Sequence, residues 1–108
     1  MSDDRQKVAA EFGEAVNMSA KELERWLASD ESRDAGQRDG GESVGHESGR
    51  KIVKLLQMRK SDWTDQDYAH MRKVVGYIRR HLAQRPSGDV TETRWRYSLM
   101  NWGHDPLK

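Results

Sequence analysis

Apolar residues recur at helical spacing along this 108-residue chain, and nowhere do they alternate with polar residues as they do in strands. Val8, Phe12 and Val16 fall at i, i+4 and i+8 and predict a first helix from Asp4 to Val16, with Asp3 and Asp4 favourable near the positive end of its dipole. "SAKE" then reads as a capping box: the Ser19 hydroxyl accepts from the Glu22 N–H, and Glu22 reaches back. A short second helix follows and buries Leu23, Trp26 and Leu27. A third helix, from Ser48 to Arg59, sets Ile52, Val53, Leu55 and Leu56 on one side and Arg50, Lys51 and Lys54 on another.

The next start carries the strongest signal. Thr64 stands as cap with Asp67 three residues on in the place of the box acid, and Trp63 and Tyr68 are spaced as a hydrophobic staple. The fourth helix runs to Gln84, because Pro86 disfavours helical geometry at Arg85. Asp89 and Glu92 suggest one more cap, and a last helix from Val90 to Trp102 places Trp95, Leu99 and Trp102 on one face before Gly103 and Pro106 stop it. The expected fold is all-α, a bundle of four or five helices forming one domain over residues 1–108.

The fourth helix, read as a wheel at about 100° per residue, divides into two arcs. Tyr68, Met71, Val74, Val75, Ile78 and Leu82 form a stripe that faces the core. The opposite arc holds Arg72, Lys73, Arg79 and Arg80, with Ala69, Gly76 and Ala83 at seven-residue spacing between them. A merely solvated arc is more cheaply built from Glu, Gln and Lys, and a glycine inside a helix costs about 1 kcal/mol relative to alanine. Small residues flanked by arginine let something approach the backbone while being gripped electrostatically. A phosphodiester backbone fits that description, and so does a second helix carrying carboxylates. Arginine suits phosphate because its planar fork donates two parallel hydrogen bonds.

Charge sharpens the contrast. The net charge is only +1, but residues 1–49 hold six Lys and Arg against twelve Asp and Glu, a balance of −6, whereas residues 50–108 hold thirteen against six, a balance of +7. Such asymmetry points to a basic surface for a polyanion with an acidic arm, or to two halves that pair with each other. From Ser29 to Gly49 only Ala35 and Val44 are apolar, so 29–47 is expected to be a long mobile acidic loop, one able to compete with phosphate for the basic face.

Other chemistry finds little support. The chain has no cysteine, which removes disulfides, thiolate metal sites and cysteine nucleophiles. Around "GGESVGHESGRK" the glycines lack the spacing of a phosphate-cradling loop, although a helix N-terminus beside Arg50 and Lys51 can hold an anion. His46, His70, His81 and His104 do not show the spacing of a zinc helix, although His70 and His81 share a face; His104 reads as a partner for helix-end carbonyls. No nucleophile motif surrounds Ser43 or Ser48, so no enzyme, cofactor, metal or small-molecule substrate is expected. No apolar run of membrane-spanning length and no secretory signal is present, and the expected place is the cytoplasm. "RWRY" interleaves cations and aromatics; Trp95 is assigned to the core, and Arg94 and Arg96 stay candidates for phosphate.

The stretches "SVGHESGRKIVKLL", "DYAHMRKVVGYIRRHLAQRP" and "WRYSLMNWGHDP" together resemble a small, largely bacterial family, domain of unknown function 3140, over roughly residues 20–108. The resemblance implies no activity and no site residues; some members carry the label DNA-binding protein, and some relatives are joined to a small Tudor-like module. The expectation is a non-catalytic DNA-binding protein that contacts phosphates through Arg50, Lys51, Lys54, Arg72, Lys73, Arg79 and Arg80 with little sequence preference. The third helix, turn and fourth helix can be read as a helix-turn-helix, but the fourth is longer than a recognition helix needs to be. A helical protein-interaction or self-association module, even a homodimer, is the alternative.

Overall fold

Helix caps written into the sequence set much of the architecture. In a computed structural model, which describes residues 2–35 and 44–108, the described residues form six α-helices and one 3-10 turn and contain no strand. The helices are α1 (Ser2–Ala15), α2 (Ala20–Leu27), α3 (Asp30–Ala35), α4 (Val44–Gln57), α5 (Asp65–Leu82) and α6 (Arg94–Asn101), with the 3-10 turn at Lys60–Asp62. Both expected capping boxes are closed in both directions, Ser19 with Glu22 and Thr64 with Asp67. The staple is present too: the Trp63 and Tyr68 rings meet edge to face at 5.8 Å.

α1 packs on α5, α2 on α4 and α3 on α6, while α6 also touches α2, α4 and α5. Between them lie Phe12, Leu23, Ile52, Met71, Ile78 and Leu99, all essentially removed from solvent. Phe12 meets Trp63 edge to face at 6.3 Å, and the Trp63 indole donates to the Leu55 carbonyl oxygen at 3.2 Å, which ties the α4–α5 turn to the core.

Several boundaries move from their expected places, each for a local reason. The stretch 29–47, expected as a mobile acidic loop, contains α3 and the first turn of α4; residues 36–43 lie outside the described residues. α3 escapes a hydrophobicity reading because it offers the core only Ser32 and Ala35. It starts on Ser29, whose hydroxyl donates to the Trp26 carbonyl oxygen at 2.6 Å and accepts from the Ser32 N–H at 3.2 Å. The acidic segment expected to compete with phosphate thus includes a buried residue, Ser32, within a helix.

α4 begins at Val44, four residues before the expected Ser48, so Gly45 is inside it along with Gly49. Gly49 is a crossing point: a Cβ there would lie 2.5 Å from the Asn101 carbonyl oxygen and 2.7 Å from Leu27 Cδ2. Arg50 and Lys51 therefore sit in the second turn of α4 and do not flank its N-terminus, which corrects the anion site expected there. Leu56, expected on the apolar side, is 36% exposed, and Trp26 is only partly buried. α6 begins at Arg94 on a Thr93 cap, later than the expected Val90. Asp89 instead turns its carboxylate onto the N–H and hydroxyl of Thr91, while Val90 is buried. The chain leaves α6 through Gly103 at φ +85°, whose carbonyl oxygen accepts from the N–H groups of Asn17 and Met18.

Candidate nucleic-acid interface

The α5 wheel is realised in three dimensions. Tyr68, Met71, Val74, Val75 and Ile78 are buried, Leu82 is partly buried, and Arg72, Lys73, Arg79 and Arg80 are exposed. Ala69 and Ala83 of the small-residue stripe are exposed as well. Gly76 is partly covered, and what covers it is Arg80: a Cβ on Gly76 would lie 3.1 Å from Arg80 Nη1. The arginine folds back over the gap that the glycine leaves.

On α4 the expected cations Arg50, Lys51 and Lys54 are all exposed. α4 and α5 meet along a shallow cleft of about 210 Å³ lined by Lys51, Lys54, Leu55, Gln66, Asp67 and His70. Lys73 stands on the same side, since its charge and that of Lys51 both reach His70. Among the described residues, Arg79 is shared with Glu11 of α1 at 3.1 Å and Lys51 with Glu47 at 3.4 Å. Accessible pairs of this kind contribute at most about 1 kcal/mol, so phosphate can compete for them. Among the described residues Lys54, Arg72, Lys73 and Arg80 have no carboxylate at ion-pair distance.

The remaining candidates from "RWRY" have structural partners. Arg96 grips Asp105 with two parallel hydrogen bonds, Nε to Oδ1 at 3.2 Å and Nη2 to Oδ2 at 3.1 Å, and donates from Nη1 to the Thr91 carbonyl oxygen. Arg94 donates to the Asp34 carbonyl oxygen at 3.0 Å, and Trp95 is buried. The histidines are likewise placed: His46 Nε2 lies 2.8 Å from the Leu27 carbonyl oxygen, and His104 Nδ1 lies 2.6 Å from that of Ala15, the helix-end role read for His104.

A feature beyond the wheel reading lies along the α5–α6 seam. His70 stacks near Trp102, Trp102 on Tyr77 at 4.2 Å, Tyr77 on His81 at 5.1 Å and His81 near Trp95, all within 18° of parallel, and the Arg85 guanidinium lies 5.5 Å from the Trp95 ring. The signal is a seven-residue interval on both helices, His70 to Tyr77 and Trp95 to Trp102, which places facing rings two turns apart. Burial holds both imidazoles below their ordinary value; at His70 the charges of Lys51 and Lys73 add to it. The column braces one edge of α5 while the basic arc stays outside it.

No helix among the described residues is long and apolar enough to cross a membrane. The family model described as Protein of unknown function (DUF3140) matches residues 11–100. No curated protein and no solved structure matches the chain.

Proposed function

The chain belongs to the DUF3140 family, and we propose that it binds DNA without catalysis, holding the phosphate backbone on the exposed arc of α5 and the adjoining lysines of α4. One observation carries this reading: Arg72, Lys73 and Arg80 line an arc of α5 that no other described element covers, with Lys51 and Lys54 exposed beside it. Cations kept off the protein's own carboxylates lose little on meeting phosphate, and the counterions released from the polyanion favour the encounter. The contacts are to phosphates, so sequence preference is slight.

The stripe of small residues has a second reading, the seat of a partner helix. That partner must first lift Arg80 from Gly76, whereas a flexible polyanion meets Arg80 where it lies.

The test is fluorescence anisotropy of a labelled random duplex at several salt concentrations. Six cations engaged with phosphates, Lys51, Lys54, Arg72, Lys73, Arg79 and Arg80, give a slope of log K against log salt of about −5.4. Arg72→Ala/Arg79→Ala/Arg80→Ala is expected to weaken binding and flatten that slope. Absence of binding at low salt, or a slope unmoved in the triple variant, rejects the reading; a stable dimer in light scattering that is lost in Gly76→Leu favours the partner helix.

A further inference from the structure

The cleft between α4 and α5 differs from the rest of the basic face because its walls converge. Lys51 and Lys54 are three apart on α4, and Gln66 and His70 are four apart on α5, so each pair shares one helix face. Asp67 also lines the cleft, but its Oδ2 already accepts from the Thr64 N–H at 2.9 Å as half of the α5 capping box. Lys51 is shared with Glu47, and Lys54 has no carboxylate at ion-pair distance among the described residues. His70 is fixed from behind, with its Nε2 3.1 Å from Ser48 Oγ and its ring stacked near Trp102. At about 210 Å³ the space is smaller than the roughly 300–1,000 Å³ usual for larger organic ligands, and suits a phosphate with part of its sugar.

We propose that this cleft is a binding site for a single phosphate group, with Lys51 and Lys54 as its cations, the Gln66 amide as a neutral donor and the His70 ring as its wall. Lysine serves phosphate as a point charge, and two on one helix face meet two oxygens of one group. The phosphate is carried either on the polynucleotide, in which case the cleft is an anchor within the face proposed above and rests on that reading, or on a free nucleotide. His70 reports on occupancy. The groups around it are Lys51 from α4, Lys73 and Asp67 from its own helix, and the uncharged Ser48 and Trp102; a phosphate beside the lysines offsets their field and favours protonation of the imidazole.

The experiment uses the full chain, with inorganic pyrophosphate and a labelled duplex as separate probes. His70 is followed by NMR through its imidazole C–H resonance, and Lys51→Ala/Lys54→Ala is compared with the parent after both show the same thermal midpoint. Pyrophosphate is expected to move the His70 titration upward, and the double variant to bind it about tenfold more weakly or worse. A matching loss of duplex affinity identifies the polynucleotide as the source; unchanged duplex affinity identifies a free phosphate compound and confines the DNA contacts to the α5 arc, and both outcomes uphold the cleft. A His70 titration unmoved by pyrophosphate, or equal pyrophosphate affinity in the double variant, overturns it. The DNA-binding reading is judged apart from this, by the arginine triple variant against the duplex.

Discussion

His81 and Trp95 hold one another through two different contacts. Their rings lie 13° from parallel with centroids 6.2 Å apart, and the Trp95 indole N–H donates to the His81 carbonyl oxygen at 2.7 Å. That carbonyl belongs to the last turn of α5 and also accepts from the Gln84 N–H at 3.0 Å, so the indole adds a side-chain cap to a turn the backbone has already closed. The same contact that ends the longest helix also aligns the ring column, and it places the His81 Nε2 where it is buried with no hydrogen-bond partner among the described residues.

A buried imidazole without a partner resists protonation. Burial lowers the values of both His70 and His81 from the ordinary 6.5, so below that pH the unfolded chain binds more protons than the folded one. Their contribution is complete above about pH 6.5 and is lost as pH falls from there through the folded-state values. Urea midpoints at pH 7.5, 6.5 and 5.5 are expected to fall in that order. His81→Phe keeps a ring in the column and removes the orphaned nitrogen; its midpoint at pH 7.5 should equal or exceed the parent's, and its decline with acid should be shallower.

Two helical glycines should respond to alanine with opposite signs. Gly13 in α1 has open space where a Cβ would go, so Gly13→Ala gains helix propensity and stabilises by about 0.5–1 kcal/mol. Gly49→Ala gains the same propensity but drives its methyl against the Asn101 carbonyl oxygen and Leu27, at a cost of about 1–3 kcal/mol. Chemical denaturation of the two variants beside the parent measures both.

Those glycines also mark how far the sequence could be read. The caps at Ser19 and Thr64, the staple of Trp63 and Tyr68 and the buried stripe of α5 were legible because each depends on residues within one or two turns. The exposure of the seven cations followed from the same wheels. α3 was not legible, since its stability comes from Ser32 and Ala35 meeting α6, more than sixty residues away in the chain. Residues 44–47 read as loop for the same reason: their turn of α4 rests on distant partners, with Gly45 against Trp102 and His46 on the Leu27 carbonyl oxygen. The role of Arg96 was hidden because its partner Asp105 lies beyond the end of α6.

Asn101 is the hub of the α3–α6 junction. Fully buried, it accepts at Oδ1 from the Trp26 indole at 2.7 Å and from the Ser32 hydroxyl at 2.5 Å, and donates from Nδ2 to the Ser32 carbonyl oxygen at 3.0 Å. Asn101→Leu keeps the branching and heavy-atom count of the side chain and strands three polar partners, each costing about 1–3 kcal/mol when left unpaired, less whatever water recovers at the partly exposed indole. A net loss of about 3 kcal/mol is expected in urea denaturation, with duplex affinity unchanged in any variant protein that remains folded.

Arg96 and Arg80 should separate stability from binding. The Asp105 carboxyl is pushed up by burial, but the hydrogen bonds and charge of Arg96, together with the Leu107 N–H and the charge of His104, outweigh that and hold it below its ordinary value. Its contribution is therefore present above about pH 4 and is lost as pH falls through the lowered value. Arg96→Met leaves a partly buried carboxylate without its bidentate partner, so it should cost about 1–3 kcal/mol at pH 7 and reduce the loss of stability between pH 4 and 3. Its duplex affinity should match the parent's. Arg80→Ala should do the reverse, with a urea midpoint close to the parent's and weaker duplex binding on a slope shallower by about one. If Arg96→Met weakens duplex binding as much as Arg80→Ala does, the interface extends onto α6 and the basic arc of α5 is only part of it.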